Sequence, residues 1–130
     1  MGESRDVSPS VLGHLRAICS DLPETYEEPA WVGVRWRVRK KTFAHVIEVD
    51  QDSTPAFDAV KVLLDPPDSS VCIVVFRSSG PELVALRNAG PPFFYAGWGR
   101  DVIGMVLDGA TDWTEVRELL TESYLSLIHI

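Results

Sequence analysis

The side chains best suited by charge to bind a ligand lie in one short segment. Five cations fall within seven positions: Arg35, Arg37, Arg39, Lys40 and Lys41. The arginines alternate with apolar residues, and alternate side chains of a β-strand point to the same face of a sheet. The three arginines are therefore predicted to share a solvent face, with the two lysines at the turn that follows. Such a row could contact successive phosphates of DNA.

The same segment has a second interpretation as an ordinary charged surface or a site for an acidic protein. Charged residues on an outward sheet face keep that surface in water, and they attract an acidic protein as well as a nucleic acid. The formal net charge of −7 opposes approach to any polyanion. We therefore expect at most weak, non-specific binding to DNA, and an acidic or extended protein partner is the alternative.

Aromatic residues form the second candidate group. They are Trp31, Trp36, Phe43, Phe93, Phe94, Tyr95 and Trp98, and Arg100 lies close behind the last. Aromatic rings beside arginine can stack on bases or hold a flat ligand. A hydrophobic core explains most of them equally well, since Trp36 and Phe43 occupy positions predicted to face inward. Trp98 and Arg100 are kept as candidates for nucleic-acid binding.

Residue patterns typical of enzymes are weak in this sequence. His14, His45 and His129 share no metal-ligand spacing with each other or with the cysteines, and no Cys-x-x-Cys occurs. Cys72 and His45 could form a nucleophile–base pair on neighbouring strands, but an inert thiol in an apolar strand is the favoured interpretation. We therefore expect no enzyme activity, no metal and no cofactor.

Cysteine use and hydropathy bear on where the protein works. Cys19 and Cys72 both sit among apolar residues, where a free thiol behaves as a small hydrophobe. The longest apolar run, Val71 to Phe76, is far short of the roughly 20 residues that span a bilayer. The charged N-terminus lacks the apolar core of a signal peptide. These observations predict a cytoplasmic protein with no membrane partner, and we expect a monomer.

Apolar periodicity predicts the elements that position these groups in the first half of the chain. Ser8 followed by Pro9 marks the start of a helix, which Pro23 ends. The charged segment 23–30 contains two prolines and is predicted to be a loop. A strand is expected from Val32, a turn at Lys40-Lys41 and a second strand over 42–49, whereas residues 57–64 fit either a short helix or a strand.

The second half predicts a central strand followed by shorter elements. Val71 to Phe76 has the continuous apolar character of a strand covered on both faces. Ser79 to Glu82 fits a capping box that opens a short middle helix. An extended segment at 93–95 and a strand at 102–107 precede a last helix capped by Asp112. The order predicts a single α+β domain, a mostly antiparallel sheet with N-terminal, middle and C-terminal helices against it.

Three stretches of the chain carry a resemblance to a known family. The first is Leu22-Pro23-Glu24 with Glu27 to Trp31, and the second is Arg35 to Ala44. The third lies between Phe93 and Tyr124 and consists of Phe93-Phe94, Trp98-Gly99-Arg100, Gly104 to Asp108, Asp112-Trp113, Leu119-Leu120 and Ser123-Tyr124. In this order and spacing they resemble the MmcQ/YjbR family over residues 8–124. The resemblance implies a fold similar to secretion chaperones and the family's DNA-binding label, and it brings no catalytic residues. Residues 57–68 are an insertion relative to shorter family members.

The two ends of the chain fall outside this resemblance. Residues 1–7 are expected to be a flexible N-terminus. Family members tend to finish the last helix with a short Lys-containing end, whereas this chain continues with Leu125 to Ile130. That string resembles the translation of a sequencing adapter, so residues 125–130 are expected to be a non-native tail.

Overall fold

The computed structural model describes residues 7–128, which form four α-helices, six strands and one 3-10 turn. Their bounds are α1 (Pro9–Ser20), β1 (Tyr26–Pro29), β2 (Val34–Val38), β3 (Lys41–Val49), the 3-10 turn (Pro55–Phe57), α2 (Asp58–Lys61), β4 (Val71–Arg77), α3 (Gly80–Asn88), β5 (Phe93–Phe94), β6 (Val102–Leu107) and α4 (Trp113–Ile128). Residues 1–6 of the predicted flexible N-terminus and the last two of the predicted tail lie outside the described residues. Within 7–128, no helix is long and apolar enough to cross a bilayer.

The strands form one sheet in the order β1-β2-β3-β4-β6-β5, and every neighbouring pair is antiparallel. β4 lies in the interior of this sheet, between β3 and β6. Most of its residues are buried, as predicted for a strand covered on both faces. The predicted α+β class, with a mostly antiparallel sheet and helices packed against it, is confirmed.

Two helix starts form as the sequence predicts. The hydroxyl oxygen of Ser8 accepts a hydrogen bond from the backbone N–H of Val11 at 3.2 Å and so caps α1. The carboxylate of Asp112 accepts from the backbone N–H groups of Thr114 and Glu115 at 3.0 and 3.2 Å, which caps α4. Each cap satisfies backbone donors that have no partner within their own helix.

The main core lies between the sheet and helices α1 and α4. Its largest fully buried members include Leu15, Val38, Phe43, Val74, Met105 and Leu120. Buried Ser123 joins α4 to the sheet, because its hydroxyl donates to the carbonyl oxygen of Phe43 at 2.7 Å and accepts from the backbone N–H of Arg77 at 2.9 Å. Val7 also packs into this core.

A smaller apolar cluster covers the opposite face of β4. Its buried members are Ile47, Val49, Val60 and Ile73. Val60 belongs to α2, so the segment 57–64, which fits either a helix or a strand by sequence, contributes a short helix to this cluster. Coverage by α2 explains why β4 is apolar on both faces.

The segment at 23–30 contains strand β1, so the prediction of a loop there is wrong for Tyr26–Pro29. β1 lies at the edge of the sheet and pairs with β2. Its carboxylates bind cations, since Glu27 forms an ion pair with Arg16 at 2.8 Å and Glu28 pairs with arginines of β2. Backbone pairing with β2 and ion pairs hold this strand in place, and its side chains are mostly exposed. Its sequence therefore lacks the apolar alternation that indicates a strand.

The capping box predicted at the start of α3 does not form. Ser79 is the residue before the helix, but its side chain makes no capping hydrogen bond. A capping box requires helical backbone directly after the cap, and Gly80 instead has a left-handed φ of 64°. Ser79 and Glu82 therefore have the spacing of a capping box but do not form its hydrogen bonds.

Helix α4 continues into the segment predicted to be a foreign tail. It continues to Ile128, the last described residue, and the side chain of Leu127 is only 5% exposed. Leu125 and Ile128 are partly buried against the same core. The expectation that residues 125–130 are non-native stays a prediction, but their described part packs as helix.

Candidate nucleic-acid interface

The cation-rich segment folds into a β-hairpin with a two-residue turn. Val38 pairs with Lys41, so Arg39 and Lys40 form the turn, with φ angles of 51° and 65°. Tight hairpins whose two central residues both have positive φ match the twist of the flanking strands. The turn is therefore one residue earlier than the predicted Lys40-Lys41, and Arg39 belongs to the turn rather than to the arginine row.

The predicted alternation along β2 is confirmed at its core positions. Trp36 is 3% exposed and Val38 is fully buried, whereas the side chains of Arg35 and Arg37 keep 36% and 23% of their surface exposed. The two arginines therefore lie on the face of the sheet opposite α1 and α4, as alternation requires.

Both arginines of β2 are engaged by one carboxylate of the neighbouring strand. Glu28 accepts from Arg35 Nε at 2.6 Å and from an Arg37 terminal nitrogen at 3.2 Å. Hydrogen bonding to Arg35, followed by its charge and that of Arg37, lowers the pKa of Glu28. The carboxylate thus stays ionised and offsets part of the positive charge of Arg35 and Arg37, which were predicted to contact phosphates.

Arg37 also supports the hairpin turn. Its second terminal nitrogen donates to the carbonyl oxygen of Lys40. The register shifts between Trp36 and Arg37, which marks a bulge directly before the turn. Arg37 therefore stabilises the turn that presents the next cations.

The two cations of the turn and Lys41, which follows it, remain open to solvent. Arg39, Lys40 and Lys41 are all exposed, and no carboxylate within residues 7–128 forms an ion pair with them. Arg39 lies close to the last turn of α4, with a terminal nitrogen 3.5 Å from the carbonyl oxygen of Ile128. These charges are available to an anionic partner.

Two further exposed cations reach the same end of the sheet. Arg77 ends β4 and pairs with Val102, the first residue of β6, and Arg100 precedes Val102 by two residues. Arg77 Nε donates to the carbonyl oxygen of Thr42 at 3.4 Å, so it lies beside the start of β3. Strands are about 4.8 Å apart, so the end from β2 to β6 spans about 15 Å. We call this surface the basic end: Arg39, Lys40, Lys41, Arg77 and Arg100.

Arg77 is the member that sequence reasoning missed. It is a single cation at the end of an apolar run, and the residues next to it in the sequence do not indicate a binding role. Only the antiparallel register brings the end of β4 beside the start of β3. Carboxylates border it as well, since Glu82, Asp101 and Glu122 line the same shallow cavity as Arg77.

Trp98 does not present its ring as a stacking platform. Its indole N–H donates to the carbonyl oxygen of Ala56 at 2.9 Å. Edge-to-face contacts join it to Phe57 and Phe94, with ring centroids 5.7 and 6.1 Å apart. Trp98 therefore closes the smaller apolar cluster, and only Arg100 of that candidate pair is exposed.

The remaining aromatic candidates divide between core and surface. Trp36 and Phe43 are buried, which confirms their predicted inward positions. The guanidinium of Arg87 lies 3.9 Å from the ring centroid of Tyr95 and covers one side of it. Trp31 is 97% exposed in the loop between β1 and β2, at the end of the sheet opposite the turn.

The structure separates the candidate nucleophile from its candidate base. Cys72 pairs with Glu48, three residues from His45, so the two side chains point to opposite faces of the sheet. Burial, followed by the charge of Glu48, raises the pKa of Cys72 to about 12. Burial lowers the pKa of His45, whose Nε2 lies 2.6 Å from the carbonyl oxygen of Val32. No thiolate is activated by this histidine.

Comparisons with known proteins agree with this fold. A sequence model of the YjbR family matches residues 20–126. A crystal structure of a protein from Pseudomonas syringae superposes with a TM-score of 0.61 at 17% sequence identity, covering 90% of this chain and 96% of that chain. The search of curated proteins gave no match.

Proposed function

The chain belongs to the YjbR family, and we propose that it is a small non-enzymatic protein that binds the phosphate backbone of DNA through the basic end. One observation carries the proposal: five exposed cations share one end of the sheet, and no carboxylate within residues 7–128 forms an ion pair with any of them. The family's DNA-binding label supports the same partner.

Physical chemistry limits this binding to a weak, sequence-independent mode. Contacts of lysine and arginine with phosphates release counterions and carry no direct sequence information. The net charge of −7 repels DNA over the roughly 10 Å that charges reach at 0.1 M salt. We therefore expect a dissociation constant in the micromolar range or weaker, typical of non-specific contacts.

The proposal includes the setting in which the protein works. Both cysteines are free and buried, which favours a reducing compartment, and we place the protein in the cytoplasm. We propose that it acts as a monomer without a cofactor, metal or membrane partner. The opposite orientations of Cys72 and His45 support a role in binding rather than catalysis.

An acidic protein partner is the second candidate for the same surface. The carboxylates of Glu82, Asp101 and Glu122 beside Arg77 oppose a long polyanion that runs across the whole end of the sheet. A compact acidic segment could instead contact the hairpin turn alone. This partner would need only Arg39, Lys40 and Lys41.

Fluorescence anisotropy with a labelled DNA duplex at several salt concentrations tests the proposal. The turn variant combines Arg39→Asn, Lys40→Gly and Lys41→Thr, because asparagine and glycine keep the positive φ angles that this turn requires. We expect it to weaken binding and to flatten the slope of log affinity against log salt by up to about 2.7, about 0.9 for each lost phosphate contact.

The control variant removes the same charge elsewhere. It combines Arg16→Gln, Arg87→Gln and Arg117→Gln, side chains that contact Glu27, Tyr95 and Asp21. The proposal requires this variant to keep the wild-type salt slope. Equal losses in the two variants, or no binding by the wild type at low salt, would refute the basic end as the DNA site.

A further inference from the structure

A groove lies at the opposite end of the sheet from the basic end. It runs between the edge strand β5, the loop after β6 and the first turn of α4, and Leu63 forms part of its wall. Its volume is about 540 Å³, within the roughly 300–1,000 Å³ of typical ligand pockets. We call it the acidic groove.

Apolar side chains form the floor and one wall of the acidic groove. Phe93 packs against the main core, whereas Phe94 and Val106 pack against the smaller cluster on the other face of the sheet. All three line the groove, so its floor crosses the β5 edge of the sheet. Leu63 is 44% exposed at the wall, and the neighbouring Val62 is 81% exposed. An exposed apolar side chain in the lining of an apolar groove, such as Leu63, is typical of a binding surface.

Carboxylates form the other wall. Asp108, Asp112 and Glu115 line the groove, and none of its described lining residues is Lys, Arg or His. Oδ1 of Asp108 accepts from the backbone N–H of Ala110, and Oδ1 of Asp112 caps α4. The Oδ2 atoms of both aspartates have no hydrogen-bond partner within residues 7–128. The groove therefore concentrates negative charge beside an apolar floor.

We propose that the acidic groove binds a linear peptide segment of a partner protein in which arginine or lysine alternates with large apolar residues. The cations would pair with the carboxylate wall while the apolar side chains cover Phe93 and Leu63. A nucleic acid is excluded by charge repulsion from this wall. The proposal is independent of the DNA site, because the two surfaces share no residue.

Fluorescence anisotropy with synthetic peptides tests this proposal. The probe is a labelled peptide that alternates leucine and arginine, and its counterpart alternates leucine and glutamate. We expect the basic peptide to bind and the acidic peptide not to bind. Equal binding of both peptides, or binding of neither, would overturn the proposal.

Two charge reversals on α4 distinguish a local effect of the groove on peptide binding from a general effect of net charge. Glu115→Lys and Glu118→Lys change the net charge equally, but only Glu115 lines the groove. We expect Glu115→Lys to weaken binding of the basic peptide about tenfold, the effect of about 1.4 kcal/mol, and Glu118→Lys to weaken it much less. Equal weakening would mean that the peptide responds only to the overall charge.

A second pair of variants tests the apolar contribution. Leu63→Ser removes a groove side chain, and Val84→Ser removes an exposed side chain on α3 outside the groove. Only Leu63→Ser should lower the affinity. If sedimentation shows that the free protein self-associates and that Glu115→Lys abolishes this, the groove takes a second copy of the chain, and the proposed partner is wrong.

Discussion

Glu28 controls how much of the positive charge on β2 reaches solvent. Its carboxylate binds both Arg35 and Arg37, so the arginine row is partly neutralised within the folded sheet. Nothing in the sequence of β2 indicates this, because the partner lies on a strand that the apolar pattern does not reveal. A row of cations in a sequence therefore does not by itself establish a free basic surface.

Removing this carboxylate should strengthen DNA binding. Glu28→Gln would release two arginines, and we expect a higher affinity for duplex DNA with a salt slope steeper by up to about 1.8, from two added phosphate contacts. Glu24→Gln makes the same change in net charge at an exposed position just before β1. Anisotropy titrations of the two variants compare them, and equal gains would contradict a local effect of Glu28.

Partly buried His45 should make stability sensitive to acid. Burial lowers its pKa in the folded state below the ordinary value of 6.5, so the unfolded chain binds more protons in that range. Stability is therefore present above about pH 6.5 and is lost as the pH falls through the folded-state pKa. The neutral imidazole is the form that suits its position on β3.

Urea unfolding at pH 7.5 and pH 5.5 measures this contribution. In His45→Gln, the side-chain amide can still donate to the carbonyl oxygen of Val32 but cannot take up a proton. Glu27 and Glu28 do not confuse the comparison, because their arginine partners lower their pKa values below the ordinary 4.5 and they lose their contribution only in more acidic solution. We expect His45→Gln to lose less stability than the wild type between these pH values. An identical loss would exclude His45 as a source.

The elements differ in how far their sequences specify them. Alternation in β2 and the caps of α1 and α4 depend on local residue types, and the structure confirms them. β1 depends on pairing with β2 and on ion pairs across strands, so it was missed. The basic end depends on register, because Arg77 and Arg100 approach the hairpin turn only when β4 and β6 are aligned.

The last turn of α4 should contribute to folding despite its unusual sequence. Leu127 is 5% exposed and belongs to the main core. We expect Leu127→Ala to lower the free energy of unfolding by about 2 to 5 kcal/mol, the range for truncating a buried leucine. Glu122→Ala, an exposed position on the same helix, should change it by less than about 0.5 kcal/mol.

Chemical denaturation of the two variants provides the measurement. If Leu127→Ala is as stable as Glu122→Ala, the end of α4 does not contribute to the core. A large loss would show that this segment is integrated into the fold, whatever its origin. The comparison therefore tests the packing of residues 125–128 directly.

Charge is divided between the two ends of the whole molecule. The hairpin turn, the end of β4 and the approach to β6 carry exposed cations, whereas the far end carries the carboxylates of Asp108, Asp112 and Glu115. The net charge of −7 hides this division. A polyanion should therefore bind in one orientation, with the acidic groove directed away from it.

Nuclear magnetic resonance titration with a short DNA duplex tests this account most directly, because it locates the contact surface. Backbone amide signals of ¹⁵N-labelled protein should shift progressively at residues 39–42, 77–78 and 100–101, and the shifts should vanish at high salt. Amides around Asp108 and Asp112 should stay unchanged. Shifts concentrated in the acidic groove, or no shifts at low salt, would contradict the basic end as the DNA-binding surface.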